Sequence, residues 1–276
     1  MLILKKFISV LLTLVMLLSL GIPAFAEEKT LNFLSLGDSI AAGAGLANPN
    51  KQAYGAIVSN TNGYNFKNDA ISGHTTQNMI KRINQKKVAE DIAEADIICI
   101  SIGGNNFLQS NLAELMIDAT AKKDYSKFDE IADGLYTDID IIIPYIRGLN
   151  PNATILFQTL YNPMYVSKDL REAYQAGADR VNATIRKYTE DHDNVYTVVE
   201  VAAAIGDDES LITADYIHPN SKGHVVIARE VLKVLKDMGL GTETEPVFKE
   251  IKISSLFDTI LFKIRQILNK IFAFMK

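Results

Sequence analysis

DIICISI, residues 96–102, is apolar at both its odd and its even positions. A strand that faces water on one side alternates between apolar and polar residues. One that does not alternate must be covered on both faces, as in a parallel sheet held between helical layers. Further strand candidates are LNFLSL (31–36), YNFKNDA (64–70), ATILFQTL (153–160) and VYTVVEV (195–201), and several of them share this lack of alternation. Amphipathic segments near 75–94, 106–122, 126–149, 168–190 and 220–238 separate and follow them. Thr75 or Thr76 is placed to cap the first of these and Asn220 the last. Asn150-Pro151 divides a long helix from the next strand. The alternation predicts an α/β fold of three layers, α/β/α, around a mainly parallel five-stranded sheet. With 48% hydrophobic and 22% charged residues, the chain can bury a sizeable core, which excludes wholesale disorder.

The two ends read differently from this body. Lys5 and Lys6 precede an uncharged apolar run, FISVLLTLVMLLSL (7–20), followed by Pro23 and the small-x-small pattern Ala24-Phe25-Ala26. The run is shorter than the roughly 20 residues that span a bilayer, so residues 1–26 read as a secretory signal cleaved before Glu27. Cleavage takes the formal charge from −5 to −7, and so acidic a chain is a poor partner for nucleic acid. Residues 27–240 form the expected catalytic domain, and 241–253, opening with GTETEP, a polar linker. Residues 254–276 carry a helical stripe of large apolar residues and a charge of +3. Such a basic amphipathic helix suits a membrane surface or cell envelope, and equally its own domain or a partner.

In an open α/β sheet, ligands bind beyond the carboxyl ends of the strands. After the first strand candidate stands SLGDSIAAGAG (35–45), with Gly37, Asp38 and Ser39. After the second come Ser72, Gly73 and His74; after the third Gly103, Gly104, Asn105 and Asn106; after the fifth Asp215 and His218, within DYIHPN. This set fits acyl transfer. A serine hydroxyl needs a base to take its proton, and histidine suits that task near neutral pH. The histidine needs an acceptor on its other nitrogen, and Asp215 lies close enough for one loop to present both. The oxyanion that develops needs preorganised donors, which the N–H groups of Ser39 and Gly73 and the amide of Asn105 could supply. A phosphate-binding loop fits poorly: no Gly-Lys-Ser/Thr follows the turn, and Gly43-Ala44-Gly45 meets Asn48 where a third glycine is needed.

In these four ordered blocks the sequence resembles the SGNH, or GDSL-type, hydrolase family over roughly residues 31–237. The resemblance implies a flavodoxin-like fold and hydrolysis of esters or thioesters with no metal and no cofactor. It implies Ser39 as nucleophile, His218 as general base, Asp215 as the group that orients His218, and Ser39, Gly73 and Asn105 as oxyanion donors. Asn106 departs from the pattern, standing where the family usually has Asp. The expected product is a secreted serine esterase of the lipase type. A carbohydrate O-acetylesterase or thioesterase on the same fold, or a non-catalytic envelope-binding module, are the alternatives. Expected partners are an acyl-ester small molecule, a lipid or an acetylated glycan, with possible membrane-surface or partner contact through 254–276. The loops 107–130 and 161–169 are expected to wall the site.

The remaining candidates read as structural. Cys99, the single cysteine, has apolar neighbours and reads as a buried strand residue. His74 is placed to line the pocket. His192, between acids in EDHD, reads as a solvated loop residue rather than a metal ligand, and His224 as a structural residue near a helix start.

Overall fold

The computed structural model describes residues 29–165 and 167–248. The expected signal (1–26), the amphipathic segment (254–276) and the end of the expected linker lie outside the described residues. The first half of the chain runs β1 (Asn32–Gly37), α1 (Ser39–Ala42), α2 (Pro49–Gln52), α3 (Tyr54–Asn62), β2 (Asn65–Asn68), α4 (Thr76–Ile83), α5 (Lys86–Glu94) and β3 (Ile97–Ser101). The second half runs α6 (Gly104–Leu108), α7 (Leu112–Ile117), α8 (Ser126–Leu149), β4 (Thr154–Gln158), α9 (Lys168–Asp191), β5 (Thr197–Val199), α10 (Val201–Ile205) and α11 (Ser221–Asp237).

The five strands form one sheet in the order β2-β1-β3-β4-β5, with every pairing parallel. That is the flavodoxin-like order. Both faces of the central strands β1, β3 and β4 are buried, as their lack of alternation requires, while the edge strand β2 is largely exposed. Leu34 and Leu36 of β1, Ile98 and Ile100 of β3, and Ile155 and Phe157 of β4 pack under α4, α5, α8 and α9. Phe33, Ile97, Cys99, Leu156 and Val199 face the other way, under α1, α3, α10 and α11. Each such aliphatic or aromatic side chain contributes roughly 1.5–3 kcal/mol relative to exposure. Cys99 is fully buried, and burial pushes its thiol up to about 12, so it stays protonated and inert.

Helices α8, α9 and α11 lie where amphipathicity predicts, and the Asn220 side chain caps α11 through the N–H groups of Lys222 and Gly223. Segment 75–94 is two helices, broken at Asn84 and Gln85. Thr75 caps the first of them, its hydroxyl accepting from Asn78 N. Segment 106–122 is also divided: α6 ends at Leu108 and Asn111 caps a new helix through Glu114 N. Helix α3 has no counterpart in the sequence reading. Its residues Tyr54 to Ser59 are all buried, so no polar face marks it as a helix.

Residues 241–248 run along the carboxyl end of α3. Asn62 Oδ1 accepts from Thr242 and Glu243 N–H, and Thr61 Oγ1 accepts from Val247 N–H at 2.9 Å. Because α3 ends just before β2 begins, this attachment lies at the end of the sheet where strands start.

His224 joins α11 to α3. Its Nδ1 accepts from Tyr54 N–H at 3.2 Å and the ring is fully buried. Burial, with a smaller push from His218, holds the imidazole down to about 3. The unfolded chain takes up this proton near pH 6.5 and the folded chain does not, so stability falls as pH drops through that window. We expect the unfolding free energy from urea titrations between pH 6.5 and 4 to fall more steeply for the wild type than for His224→Gln, by up to about 1.4 kcal/mol per pH unit. Parallel slopes would show that His224 carries none of the acid sensitivity.

Candidate active site

The carboxyl end of β1 approaches β3 too closely for a side chain. A Cβ on Gly37 would lie 1.9 Å from the Ser101 carbonyl oxygen, and Gly37 adopts φ +122°. The next residue locks this crossing: Asp38 N–H donates to Ser101 O at 2.9 Å, and Ser101 Oγ donates back to Asp38 Oδ1 at 3.3 Å. Asp38 Oδ1 also accepts from Ile40 N–H at 3.0 Å, so Asp38 is the N-cap of α1 and Ser39 its first residue. An N-terminal N–H has no partner within its own helix. Among the described residues neither the N–H nor the hydroxyl of Ser39 has a partner, so Ser39 stands uncommitted at the sheet edge.

Asp38 is buried, and burial pushes its carboxyl up to about 6 against the pull of the Ile40 N–H, the Ser101 hydroxyl and the charge of His218. Nothing in the sequence alone assigns Asp38 a role. The charge of His218 thus acts on Asp38 across the sheet edge.

Asp215 and His218 occupy a closed loop between β5 and α11. The loop is pinched by the pairing of Ile212 with Pro219, by Thr213 N–H on His218 O at 2.8 Å, and by Asn220 N–H on Leu211 O at 2.8 Å. Tyr216 within it takes φ +59°, a left-handed conformation that costs a non-glycine residue of order 1 kcal/mol. Asp215 Oδ2 meets His218 Nδ1 at 2.8 Å. Asp215 Oδ1 accepts from the Ile217 and His218 N–H groups at 2.9 and 3.0 Å and from the Thr213 hydroxyl. Burial raises the Asp215 carboxyl, but the hydrogen bond and charge of His218, with the other donors, outweigh it and hold the group well below the usual carboxylate range. An ionised Asp215 fixes the proton of His218 on Nδ1 and leaves Nε2 as a free base. The phenol of Tyr161, just after β4, donates to Ile217 O at 2.5 Å and ties this loop to the sheet. Burial holds that phenol well above its ordinary range, so it remains a donor. Thr213 and Tyr161 escaped the sequence reading.

Gly73, at φ +85°, forms the turn before α4. Asn105, on α6, turns one amide hydrogen to His74 O at 3.0 Å, which orients the group and leaves the second hydrogen free. Gln109, the residue that follows this helix, donates to Gly73 O. Thus α6 and the 73–76 turn are joined. His74 takes part through its carbonyl, and its ring is not part of the cleft's lining.

A cleft of about 30 Å³ opens beside Ser39, lined by Asp38, Ser39, Asn105, Leu108, Leu160 and Tyr161, with Ile40, Gly104, Pro163, Tyr174 and Ile217 completing it. Residues of both expected loops, 107–130 and 161–169, wall it. Gly73 and His218 flank the cleft without lining it, and no hydrogen bond joins Ser39 Oγ to His218. A larger groove of about 530 Å³ lies on the other face of α6, among Thr75, Gln77, Asn106, Gln109, Ser110 and Asp138, and no histidine lines it. The smaller cleft is the one that Ser39 and Asn105 line. Away from it, His192 Nδ1 donates to Tyr188 O at 2.8 Å, and the ring stacks on Tyr188 at the end of α9.

The chain matches the model of the GDSL-like Lipase/Acylhydrolase family over residues 35–226. It is 26% identical over 234 residues to a Bacillus subtilis protein, YpmR, covering 79% of this chain and 87% of that one. It is 25% identical over 211 residues to the spore germination lipase LipC of Bacillus licheniformis, covering 73% of this chain and 95% of the relative. Its fold superposes on the lipase Lip_vut3 from a goat rumen metagenome with a TM-score of 0.60, at 20% identity, over 77% of this chain and 99% of that structure.

The buried Asp38 and the ion-paired Asp215 should titrate far apart. In a carboxyl-carbon NMR titration, Asp38 is expected to show a midpoint near 6, while Asp215 stays ionised through the ordinary carboxylate range. Coincident midpoints would contradict the assigned environments.

Proposed function

We propose that this chain, which belongs to the GDSL-like lipase/acylhydrolase family and is an ester-bond hydrolase, is a secreted serine esterase working through Ser39, His218 and Asp215. The observation that carries the reading is the Asp215–His218 pair at 2.8 Å, on the same sheet edge as an uncommitted Ser39.

His218 Nε2 removes the Ser39 proton as Oγ attacks the ester carbonyl. The imidazolium that forms is stabilised by the ionised Asp215. The N–H groups of Ser39 and Gly73 and the free amide hydrogen of Asn105 receive the developing oxyanion. His218 then protonates the leaving alcohol, and a water activated by the same base releases the acid. The open Ser39–His218 contact is consistent with catalytic hydrogen bonds that tighten only around substrate.

Ile40, Leu108, Leu160, Pro163 and Ile217 make the cleft wall apolar, which suits the hydrocarbon part of an acyl group. Its small volume favours a short one. The basic leader followed by an apolar run supports export. No helix among the described residues is long and apolar enough to cross a membrane.

Ser39→Ala is expected to lower turnover of nitrophenyl esters at least about a thousandfold, and Asp215→Asn about a hundred- to ten-thousandfold, with melting temperatures retained. Normal turnover by Ser39→Ala would refute the serine mechanism. Across a chain-length series, kcat/KM should fall beyond short acyl groups. A preference for long chains would refute the small-cleft reading, and exclusive action on acetylated polysaccharide or thioesters would favour the alternative substrates.

A further inference from the structure

The turn carrying Gly73 and the helix carrying Asn105 are joined by a side-chain chain whose polarity is fixed at every link. Asn106 grips Thr76 twice: Thr76 N–H donates to Asn106 Oδ1 at 3.2 Å, and Asn106 Nδ2 donates to Thr76 Oγ1 at 2.8 Å. The Thr76 hydroxyl spends its single proton on Asp138 Oδ2, and Gln77 Nε2 donates to Asp138 Oδ1. Thr76 is fully buried and Asp138 nearly so. Asp138 belongs to α8, Thr76 to α4 and Asn106 to α6, so the chain ties three helices together.

We propose that Asp138, acting through Thr76 and Asn106, is a positioning residue for the oxyanion donors. The proposal rests on the serine-esterase reading above. Asn105 precedes Asn106 in one helical turn, and Gly73 lies just ahead of Thr76. Holding Asn106 on Thr76 therefore fixes the distance between the Asn105 amide and the Gly73 N–H. A preorganised pair of donors acts on the charge that develops in the transition state, so its disturbance lowers kcat more than it raises KM.

The hydroxyl of Thr76 also explains why an amide stands at position 106. A carboxylate there could still accept from Thr76 N–H but could not donate to Oγ1. Two carboxylates would then compete for one hydroxyl proton across a buried residue. One carboxylate and one amide must flank Thr76, and either order satisfies it. In the exchanged order the hydroxyl turns round, donating to residue 106 and accepting from residue 138.

The test is that exchange, in the full chain, with nitrophenyl acetate as the substrate. Asn106→Asp should lower kcat about ten- to hundredfold with KM within about threefold, and Asp138→Asn about tenfold. The double variant Asn106→Asp/Asp138→Asn should regain kcat to within about threefold of wild type. Melting temperatures separate the outcome from unfolding, since the double variant is compared with two singles that share its substitutions. Losses that multiply in the double variant, or that fall on KM with kcat intact, overturn the proposal. Ser39→Ala is assayed beside them: if it is inactive while the exchange fails to rescue, only the positioning role falls. If it is active, the serine reading falls and the proposal with it.

Discussion

Burial of the sheet on both faces is the constraint from which the rest follows. A strand covered above and below has no room for uncompensated polar groups along its length. Chemistry is confined to the edge where strands end and loops begin. Ser39, the Gly73 turn, α6 and the 212–219 loop all leave the sheet at that edge. The parallel pairing of every strand gathers them there, because each carboxyl end points the same way.

Placing these segments is the work of a few hydrogen bonds between elements distant in sequence. Gly37 lets β1 and β3 meet, and Asp38 and Ser101 lock the meeting from both sides. Tyr161 fastens the histidine loop to the end of β4, and Asn105, Asn106 and Gln109 fasten α6 to the Gly73 turn. Each such bond adds only about 1 kcal/mol. Their value is geometric, since a catalytic group displaced by an ångström loses much of its effect. The same network loads the site with unusual environments: a buried Asp38 pushed up to about 6 beside an ion-paired Asp215 held low. Asp38 lines the cleft and Asp215 lies in the loop beside it, so one sheet edge holds carboxyls driven in opposite directions, as perturbed groups in functional sites often are.

How far the sequence could be read depended on whether a signal was local. The strands were legible because DIICISI and its counterparts carry their burial in consecutive residues. Helices α8, α9 and α11 were legible because a stripe at helical spacing needs only one buried face. Helix α3 was not, since Tyr54 to Ser59 are all buried and show no stripe. The breaks at Asn84 and after Leu108 were missed because apolar residues continue on either side. Asp215 and His218 could be paired on paper, their separation being short enough for one loop. Tyr161 and Asp138 could not be joined to the site, because their partners are set by the register of strands and helices, while Thr213 reaches Asp215 through the fold of its own loop.

The sequence by itself determined the layered α/β architecture, the order of the polar blocks at strand ends and the residue types able to carry acyl transfer. These are properties of consecutive residues and of the pattern of burial they demand. Only the tertiary structure decided that Asp38 rather than Ser39 caps α1, that Asp215 lies in hydrogen-bond contact with His218, and that Asp138 reaches Asn106 through Thr76. Those facts depend on how the strands pair and how the helices settle on them. A hydrogen bond requires its atoms within a few tenths of an ångström, a precision that sequence spacing does not contain.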